Sequence, residues 1–319
     1  MRIISKLQSE LIDAVLAEKE VGGLTAAILE KDIHVTEVLH TLAGLDFPNV
    51  RLIFCGGTSL SKAHGLIERM SEDVDLKVVL IGEKMMARNV IKKHLGQFKK
   101  AVIAAMERLG YVPDAAGFIT FNENRYFSTT WSYQSWYEND LSLRPHLSLE
   151  FTLRTPIFAP VSVSLGTLIH QLAEINAPEF IFSCVAIEET LAEKILSFLR
   201  RYAQHRSGHM KQNWDAALVR HIYDIYCIVG VDASALAKAK LHFKELVQFD
   251  ADEFSQHSEF VQNPRKCLLE ALTMCETDEQ TKIEYQTKLV PLIYGVNRPN
   301  FAEAFKVFKQ CSQTLINTL

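Results

Sequence analysis

Two aspartates with the spacing of a metal-binding pair stand at Asp73 and Asp75. From Asp73 to Val78 polar and apolar residues alternate, which is typical of a β-strand with one buried face. Both carboxylates then lie on the polar face, where their hard oxygens suit Mg²⁺. Taken alone, two aspartates on an edge strand are more often a solvated polar surface than a metal site.

A turn that could bind phosphate precedes these aspartates. A short apolar run predicts a buried strand, after which Gly56 and Gly57 let the chain turn into a helix with Thr58 or Ser59 as its N-cap. Backbone N–H groups at a helix start favour phosphate, and Lys62 adds a positive charge nearby. Displacing pyrophosphate from an NTP needs a divalent ion to neutralise phosphate charge. In this order, the turn and the acidic pair predict nucleotidyl transfer.

The combination resembles the polymerase-beta-like nucleotidyltransferase superfamily and, within it, the AbiEii/AbiGii toxin family. The resemblance covers most of the chain, and its motifs occur in the family's order. They are Glu30-Lys31-Asp32, the Gly56-Gly57 turn, the segment from Arg69 to Asp75, Glu193-Lys194 and Tyr223-Asp224. The resemblance implies an α+β fold, in which a polymerase-beta-like mixed sheet flanked by helices is followed by a helical lobe.

The same resemblance implies an activity and its partners. We expect an Mg²⁺-dependent enzyme, the toxin of a type IV, AbiE-like toxin–antitoxin or phage abortive-infection system. It would transfer NMP from an NTP to an acceptor, foremost the 3′ end of tRNA, and an AbiEi-like antitoxin would be encoded nearby. Transfer to a protein hydroxyl or to an antibiotic, and NTP binding without turnover, remain alternatives.

Two residues of the C-terminal half carry roles only through the resemblance. Lys194 would contact the nucleotide, and Asp224 would either orient Lys194 or accept a proton from the acceptor. On the sequence alone, Lys194 is an ordinary solvated helical lysine, and Asp224 a structural carboxylate paired with Arg220 one turn earlier.

Aromatic and β-branched runs after residue 111 predict antiparallel strands that extend the sheet. In the run 146–153 the apolar residues share one face, which leaves Glu150 on the other face with Ser148 and Thr152. Glu150 is therefore a candidate third metal ligand or base, or else part of a plain polar face. From residue 187 the periodicity is helical. We expect a nucleotidyltransferase domain over 1–178 and a helical domain over 179–319 that contributes Lys194 and Asp224 to the cleft.

Composition restricts the remaining interpretations. The formal net charge of −4 gives no global basic field, so any contact with RNA needs a local patch. Residues 200–214 mix cations with aromatics and are a candidate for it, or else an exposed helix end and loop. We expect the lysines of a helix over 84–109 to be solvated, and residues 250–264 to form a loop. The six cysteines show no metal or disulfide spacing, and the absence of a signal peptide or membrane span predicts a cytoplasmic protein.

Overall fold

The computed structural model describes residues 1–138, 143–208 and 214–319. They divide into two compact units. The sheet unit comprises residues 1–65 and 70–185, and the helical unit comprises 66–69 and 186–319. The chain thus passes from the sheet unit to the helical unit after Val185 rather than at residue 178, because residues 180–184 form a strand of the sheet.

Within the described residues, the sheet unit is built on seven strands. They are β1 (Val50–Cys55), β2 (Asp73–Leu80), β3 (Val112–Phe121), β4 (Tyr126–Ser132), β5 (His146–Leu153), β6 (Val161–Leu165) and β7 (Phe180–Cys184). The helices of this unit are α1 (Lys6–Glu18), α2 (Ala26–Ala43), α3 (Gly56–Lys62), α4 (Arg88–Arg108) and α5 (Leu168–Ala173).

The strands follow the order β3-β4-β5-β2-β1-β7-β6. The pairs β2·β5 and β1·β7 are parallel and the other neighbours are antiparallel, so the sheet is mixed, as predicted. The sequence did not reveal β6 and β7, nor that β5 runs parallel to β2. Strand β2 lies in the middle of the sheet, which places the predicted acidic pair on a central strand rather than on an edge.

One face of the sheet is apolar and is covered by helices. Alternation along β2 sends Val74, Leu76 and Val78 into a core shared with Phe151 of β5 and with α2 and α4. Thr25 caps α2 by accepting a hydrogen bond from the backbone N–H of Ile28. Because apolar side chains occupy this face, the alternate residues of the central strands must lie on the opposite, polar face.

The helical unit is assembled around α6, which packs against α7, α8 and α10, while α12 packs against α7. Its helices are α6 (Ile187–Arg206), α7 (Arg220–Val231), α8 (Ser234–Glu253), α9 (Ser258–Gln262), α10 (Pro264–Thr277), α11 (Glu279–Glu284) and α12 (Phe301–Ile316). The prediction of a loop over 250–264 is therefore wrong. The acidic run ends α8, because Asp250 is buried against Arg200 of α6.

A short segment between α3 and β2, residues 66–69, belongs to the helical unit. Arg69 forms an isolated antiparallel bridge with Ile293, and the backbone N–H groups of Tyr294 and Gly295 donate to the carbonyl of Glu68. Gly295 is needed at this contact, because a Cβ there would overlap the Glu68 side chain. No helix within the described residues is long and apolar enough to span a membrane.

Candidate active site

The polar face of the sheet carries the predicted carboxylates. In the parallel pairing of β2 with β5, Asp73 lies opposite Ser148 and Asp75 lies opposite Glu150. Paired residues share a face, so Asp73, Asp75 and Glu150 point to the same side of the sheet. The sequence placed each of them on a polar strand face, and the strand order brings the three together.

Gly56 lies against Asp75. It has a φ of +77°, and a Cβ at this position would overlap the Asp75 carboxylate. The residue pairing explains the proximity, since Cys55 at the end of β1 lies opposite Asp75. Glycine is required here both for its backbone conformation and for the close approach of the carboxylate.

Asp73 and Glu150 each have a partner that sequence reasoning missed. Arg144, just before β5, forms an ion pair with Asp73 through Nη1. The hydroxyl of Tyr126 on β4 donates to Glu150 Oε2 over 3.0 Å. The pKa of Tyr126 is raised, first by burial and then by Glu150 and Asp75, so this tyrosine stays a hydrogen-bond donor at neutral pH. No local signal marks either pair, because both depend on which strands become neighbours.

The predicted cap of α3 is wrong. The helix begins at Gly56, its N-cap is Cys55, and no side chain caps it. Thr58 and Ser59 lie inside the first turn and are buried, and Thr58 Oγ1 donates to Ser71 Oγ over 3.0 Å. Their hydroxyls therefore pack inward, while the phosphate-binding roles of Thr58 and Ser59 stay predictions.

Lys62 is also engaged within the protein. Its ammonium lies 2.6 Å from Asp32 Oδ1, and the lysine side chain is only 6% exposed. Asp32 Oδ2 in turn accepts the backbone N–H of Leu168, at the start of α5, over 2.6 Å. The charge of Lys62 is thus matched by Asp32 in the structure, and its contact with a phosphate stays a prediction.

The Glu30-Lys31-Asp32 motif on α2 ties loops of the sheet unit together. Glu30 accepts the backbone N–H of Trp136 over 2.7 Å. Lys31 is fully buried, donates to the Arg144 carbonyl over 2.8 Å and lies 3.2 Å from Glu72 Oε2. Because Glu72 and Arg144 precede β2 and β5, Lys31 holds together the chain segments that lead into the two carboxylate-bearing strands.

The donor set on the polar face suits Mg²⁺ in its chemistry. Mg²⁺ keeps several waters and is usually held by one or two carboxylates together with substrate phosphates. Asp73 and Asp75 can supply such a pair. In the described part of the chain, no group of three His, Cys, Asp or Glu side chains is arranged to hold a metal. The ligand role of Glu150 stays a prediction.

A second charged cluster lies inside the helical unit. Arg69 is bidentate to Asp224, with Nε to Oδ1 and Nη2 to Oδ2 both at 2.7 Å, and Lys194 Nζ lies 2.8 Å from Oδ2. Asp224 is completely buried, and both cations are nearly so. Lys194 is thus a buried lysine and not a solvated one, and the acid pairs with Arg69 rather than with its helical neighbour Arg220.

The charges around Asp224 determine whether it can accept a proton. Burial opposes its ionisation, but Arg69 and Lys194 outweigh burial and hold the pKa of this carboxyl well below its usual range. An acid of such low pKa, enclosed by two cations, is a poor proton acceptor. Of the two roles left open by the sequence, the geometry therefore supports positioning of Lys194 and not general-base catalysis.

The candidate RNA segment, residues 200–214, is only partly accessible. Arg200 is buried, donates to Asp250 over 3.1 Å and stacks on the Phe254 ring at 3.5 Å. Trp214 Nε1 donates to Glu284 over 2.8 Å. These side chains hold the helical unit together, and residues 209–213 of the segment lie outside the described residues.

A mixed sheet whose central strand presents two carboxylates beside a Gly-Gly turn defines the class of polymerase-beta-like nucleotidyltransferases. Within this class, residues 39–307 match the family model described as nucleotidyl transferase AbiEii toxin, type IV TA system. The chain therefore belongs to this family and is a nucleotidyltransferase toxin. Membership implies an NTP substrate and an antitoxin partner.

Two solved structures resemble the chain at low identity. MenT4, a nucleotidyltransferase toxin from Mycobacterium tuberculosis, is 18% identical with a TM-score of 0.47, and the match covers 97% of this chain and 89% of MenT4. JHP933 from Helicobacter pylori is 14% identical with a TM-score of 0.41, and the match covers 92% of this chain and 94% of that one. No curated protein sequence matches the chain.

Proposed function

We propose that the protein is an Mg²⁺-dependent enzyme that transfers NMP from an NTP to the 3′ end of tRNA. The observation that carries the proposal is the position of Asp73 and Asp75 on the polar face of a central strand, with Gly56 fitted against Asp75. These carboxylates would hold the ion, which would neutralise phosphate charge during the transfer.

The remaining roles follow from the contacts of each residue. The backbone of Gly56 and Gly57 would face the phosphates, and Lys194 would contact the nucleotide. Asp224 would act through Lys194 by fixing its ammonium, to which it lies at 2.8 Å. Glu150 would serve as an additional metal ligand or as a base once the hydrogen bond from Tyr126 is broken.

The biological setting of the proposal comes from the family. Addition of a nucleotide to tRNA would stop translation, and an AbiEi-like antitoxin encoded nearby would counter it. Since NTPs and tRNA are cytoplasmic molecules, we propose that the enzyme acts in the cytoplasm.

The test is a labelling assay with purified protein, Mg²⁺, each α-³²P-labelled NTP in turn, and either total tRNA or a cell lysate. We expect label in a tRNA band. The Asp75→Asn variant, which keeps the size of the side chain next to Gly56, should lose more than about a hundredfold of the activity. The exposed residue Asp46 supplies a matched control, because Asp46→Asn makes the same chemical change away from the polar face.

Each outcome decides between the acceptors. Label in a protein band would move the acceptor to a side-chain hydroxyl, and label on an added aminoglycoside would make it an antibiotic. Absence of label with every acceptor, while the protein still binds NTP, would support binding without turnover. Equal activity of Asp75→Asn and wild type would remove the acidic pair from the mechanism.

A further inference from the structure

A groove on the sheet unit is lined mainly by basic and amide side chains. It lies between α4 and the turn that joins β3 to β4, and its lining includes Lys92, Lys93, Lys99, Lys100 and Asn124. Each of these lysines, taken alone, is an ordinary solvated side chain of an exposed helix. The structure groups the four around one concavity, which a sequence pattern cannot show.

The positive charge of this groove is largely uncompensated. Helix α4 carries six Lys and Arg residues and a single Glu, in a protein whose net charge is −4. Arg88 is neutralised by Glu123 at 2.7 Å. By contrast, the four lysines form no ion pair with any residue that the structure describes, and Lys99 only donates to Thr120 Oγ1 over 3.0 Å. Such a local field attracts a polyanion even to an acidic protein.

An exposed aromatic ring lies on the opposite face of the same sheet edge, because Thr120 faces α4 and the next side chain of β3 faces the other way. Phe121, next in the chain to Thr120, ends β3 and is 55% exposed. Its ring stacks on Tyr126 with centroids 5.8 Å apart and an interplanar angle of 25°. A large apolar side chain held in a stack yet open to solvent offers a flat surface for a nucleobase.

The aromatic stack lies on the same face of the sheet as the carboxylates. Tyr126 donates to Glu150, which pairs in register with Asp75. From β3 to β2 there are three strand steps, or about 14 Å at the usual spacing. The register places polar side chains between them, with Tyr126 and Thr152 in the row of Phe121 and Ser128 and Glu150 in the row of Asp75. A short single strand of nucleic acid could cross these side chains to the carboxylates.

We propose that the four α4 lysines and Phe121 form the docking surface for the acceptor RNA. The lysines bind its phosphates on the α4 side, its single-stranded 3′ end passes around the edge strand β3, and Phe121 stacks a base of that end as it runs toward Asp75. The combination favours RNA over an acidic protein partner, because phosphates and bases alternate along one strand. The inference rests on the proposed function, since it assigns the substrate of that site.

The first test measures RNA binding directly, without NTP or Mg²⁺, so that it does not depend on catalysis. Binding of fluorescein-labelled tRNA is followed by anisotropy over a range of KCl concentrations. The variant with Lys92→Gln, Lys93→Gln, Lys99→Gln and Lys100→Gln should bind at least about tenfold more weakly and show a shallower salt dependence. A matched control makes the same four changes at exposed lysines of the helical unit, namely Lys238, Lys240, Lys244 and Lys306.

The second test separates base stacking from charge. Phe121→Ala should weaken binding of intact tRNA about tenfold and leave binding of tRNA trimmed of its single-stranded 3′ end unchanged. Phe121→Trp should bind intact tRNA as wild type does. Circular dichroism spectra and urea unfolding of each variant would confirm that the fold is retained.

The proposal would be overturned by absence of tRNA binding by the wild type, by equal binding of the α4 variant and the wild type, or by an equal loss in the control variant. Loss of neutralisation by the co-expressed antitoxin, with tRNA binding unchanged, would mark the surface as a protein-docking site and also overturn it. If wild type binds tRNA through these lysines but labels another acceptor, the proposed function fails while the docking surface stands.

Discussion

At the start of β2, Arg144 and Asp73 form an ion pair whose members are 48% and 24% exposed. A divalent cation at the acidic pair would have to compete with this guanidinium for one of its two ligands. Arg144 therefore sets how readily the site accepts a cation, and its release would leave a positive side chain beside the position proposed for the phosphates.

Replacement of Arg144 should strengthen metal binding. We expect Arg144→Gln to raise the affinity for Mn²⁺ up to about fivefold, because a partly exposed ion pair contributes at most about 1 kcal/mol. Isothermal titration of the protein with Mn²⁺ alone measures this. Arg88→Gln is the control, since its ion pair with Glu123 lies elsewhere on the sheet unit. An unchanged affinity in Arg144→Gln would show that the pair does not oppose cation binding.

Asp224 differs from Asp73 because it is buried and neutralises two buried cations. Asp224→Asn would leave Arg69 and Lys194 facing each other without their counter-charge. We expect a loss of about 3–5 kcal/mol in the free energy of unfolding, measured in urea. Asp252→Asn, at an exposed position of α8, should change it little.

The pH dependence of this difference tests its electrostatic origin. The pKa of Asp224 is lower in the folded state than in the unfolded chain, so its stabilising effect is present above about pH 4, the unfolded value, and falls as the pH drops below it. The gap between wild type and Asp224→Asn should therefore narrow in acid. A gap that is constant with pH would indicate that lost packing, and not charge, explains the effect.

At the scale of single elements, helix α2 carries a buried histidine in addition to the Glu30-Lys31-Asp32 motif. His34 is fully buried, and its Nδ1 lies 2.9 Å from the Tyr111 hydroxyl, which donates to Glu37. Burial, together with the positive charges of Arg2 and Lys31, lowers the pKa of His34 to about 3. The histidine is therefore neutral in the folded protein and must gain a proton when the chain unfolds in mild acid.

This buried histidine predicts acid sensitivity. The pKa of His34 is lower in the folded protein than in the unfolded chain. The contribution of His34 to the free energy of unfolding is therefore fully present above about pH 6.5 and decreases as the pH drops toward 3. Between pH 7.5 and 5 the loss is about 2 kcal/mol, at 1.36 kcal/mol per unit below 6.5. Urea unfolding at both pH values should show His34→Gln losing less stability than wild type over this interval. His242, whose side chain is 43% exposed, gives the control His242→Gln, and equal losses in all three proteins would contradict the prediction.

The elements also show what the sequence could predict. Period-two alternation is local, so it placed Asp73, Asp75 and Glu150 on polar strand faces correctly. Order along the chain does not determine which strands pair, so the contacts of Arg144 and Tyr126 could not be predicted. The cap of α3 was misassigned for a related reason. Gly56 opens the helix because the Asp75 carboxylate approaches it, a constraint that arises only from the β1·β2 pairing.

At the scale of the whole molecule, the helical unit is not one continuous stretch of chain. Residues 66–69 join it from between α3 and β2. The partner of Asp224 is therefore Arg69, 155 positions away, while a reading of the helix alone favours Arg220. Periodicity predicted the helices of this unit, but only the folded chain reveals that an insertion from the N-terminal half completes its charged cluster.

The discontinuity predicts that a fragment of residues 186–319 is incomplete. It would lack Arg69, the bridge to Ile293 and the Glu68 carbonyl that accepts from Tyr294 and Gly295. We expect this fragment to be only marginally folded in urea titrations. A synthetic peptide of residues 64–71 should stabilise it in proportion to peptide concentration, because a ligand that binds only the folded state shifts the equilibrium toward it.

The Arg69→Ala version of the peptide is the matched control and should stabilise the fragment much less, since it cannot supply the bidentate partner of Asp224. If the fragment unfolds at the same urea concentration with either peptide and without one, residues 66–69 contribute no stability to the helical unit. In that case Lys194 alone would suffice to neutralise Asp224, and the destabilisation expected for Asp224→Asn would have to come from the lysine. The two experiments together thus divide the cluster's stability between its two cations.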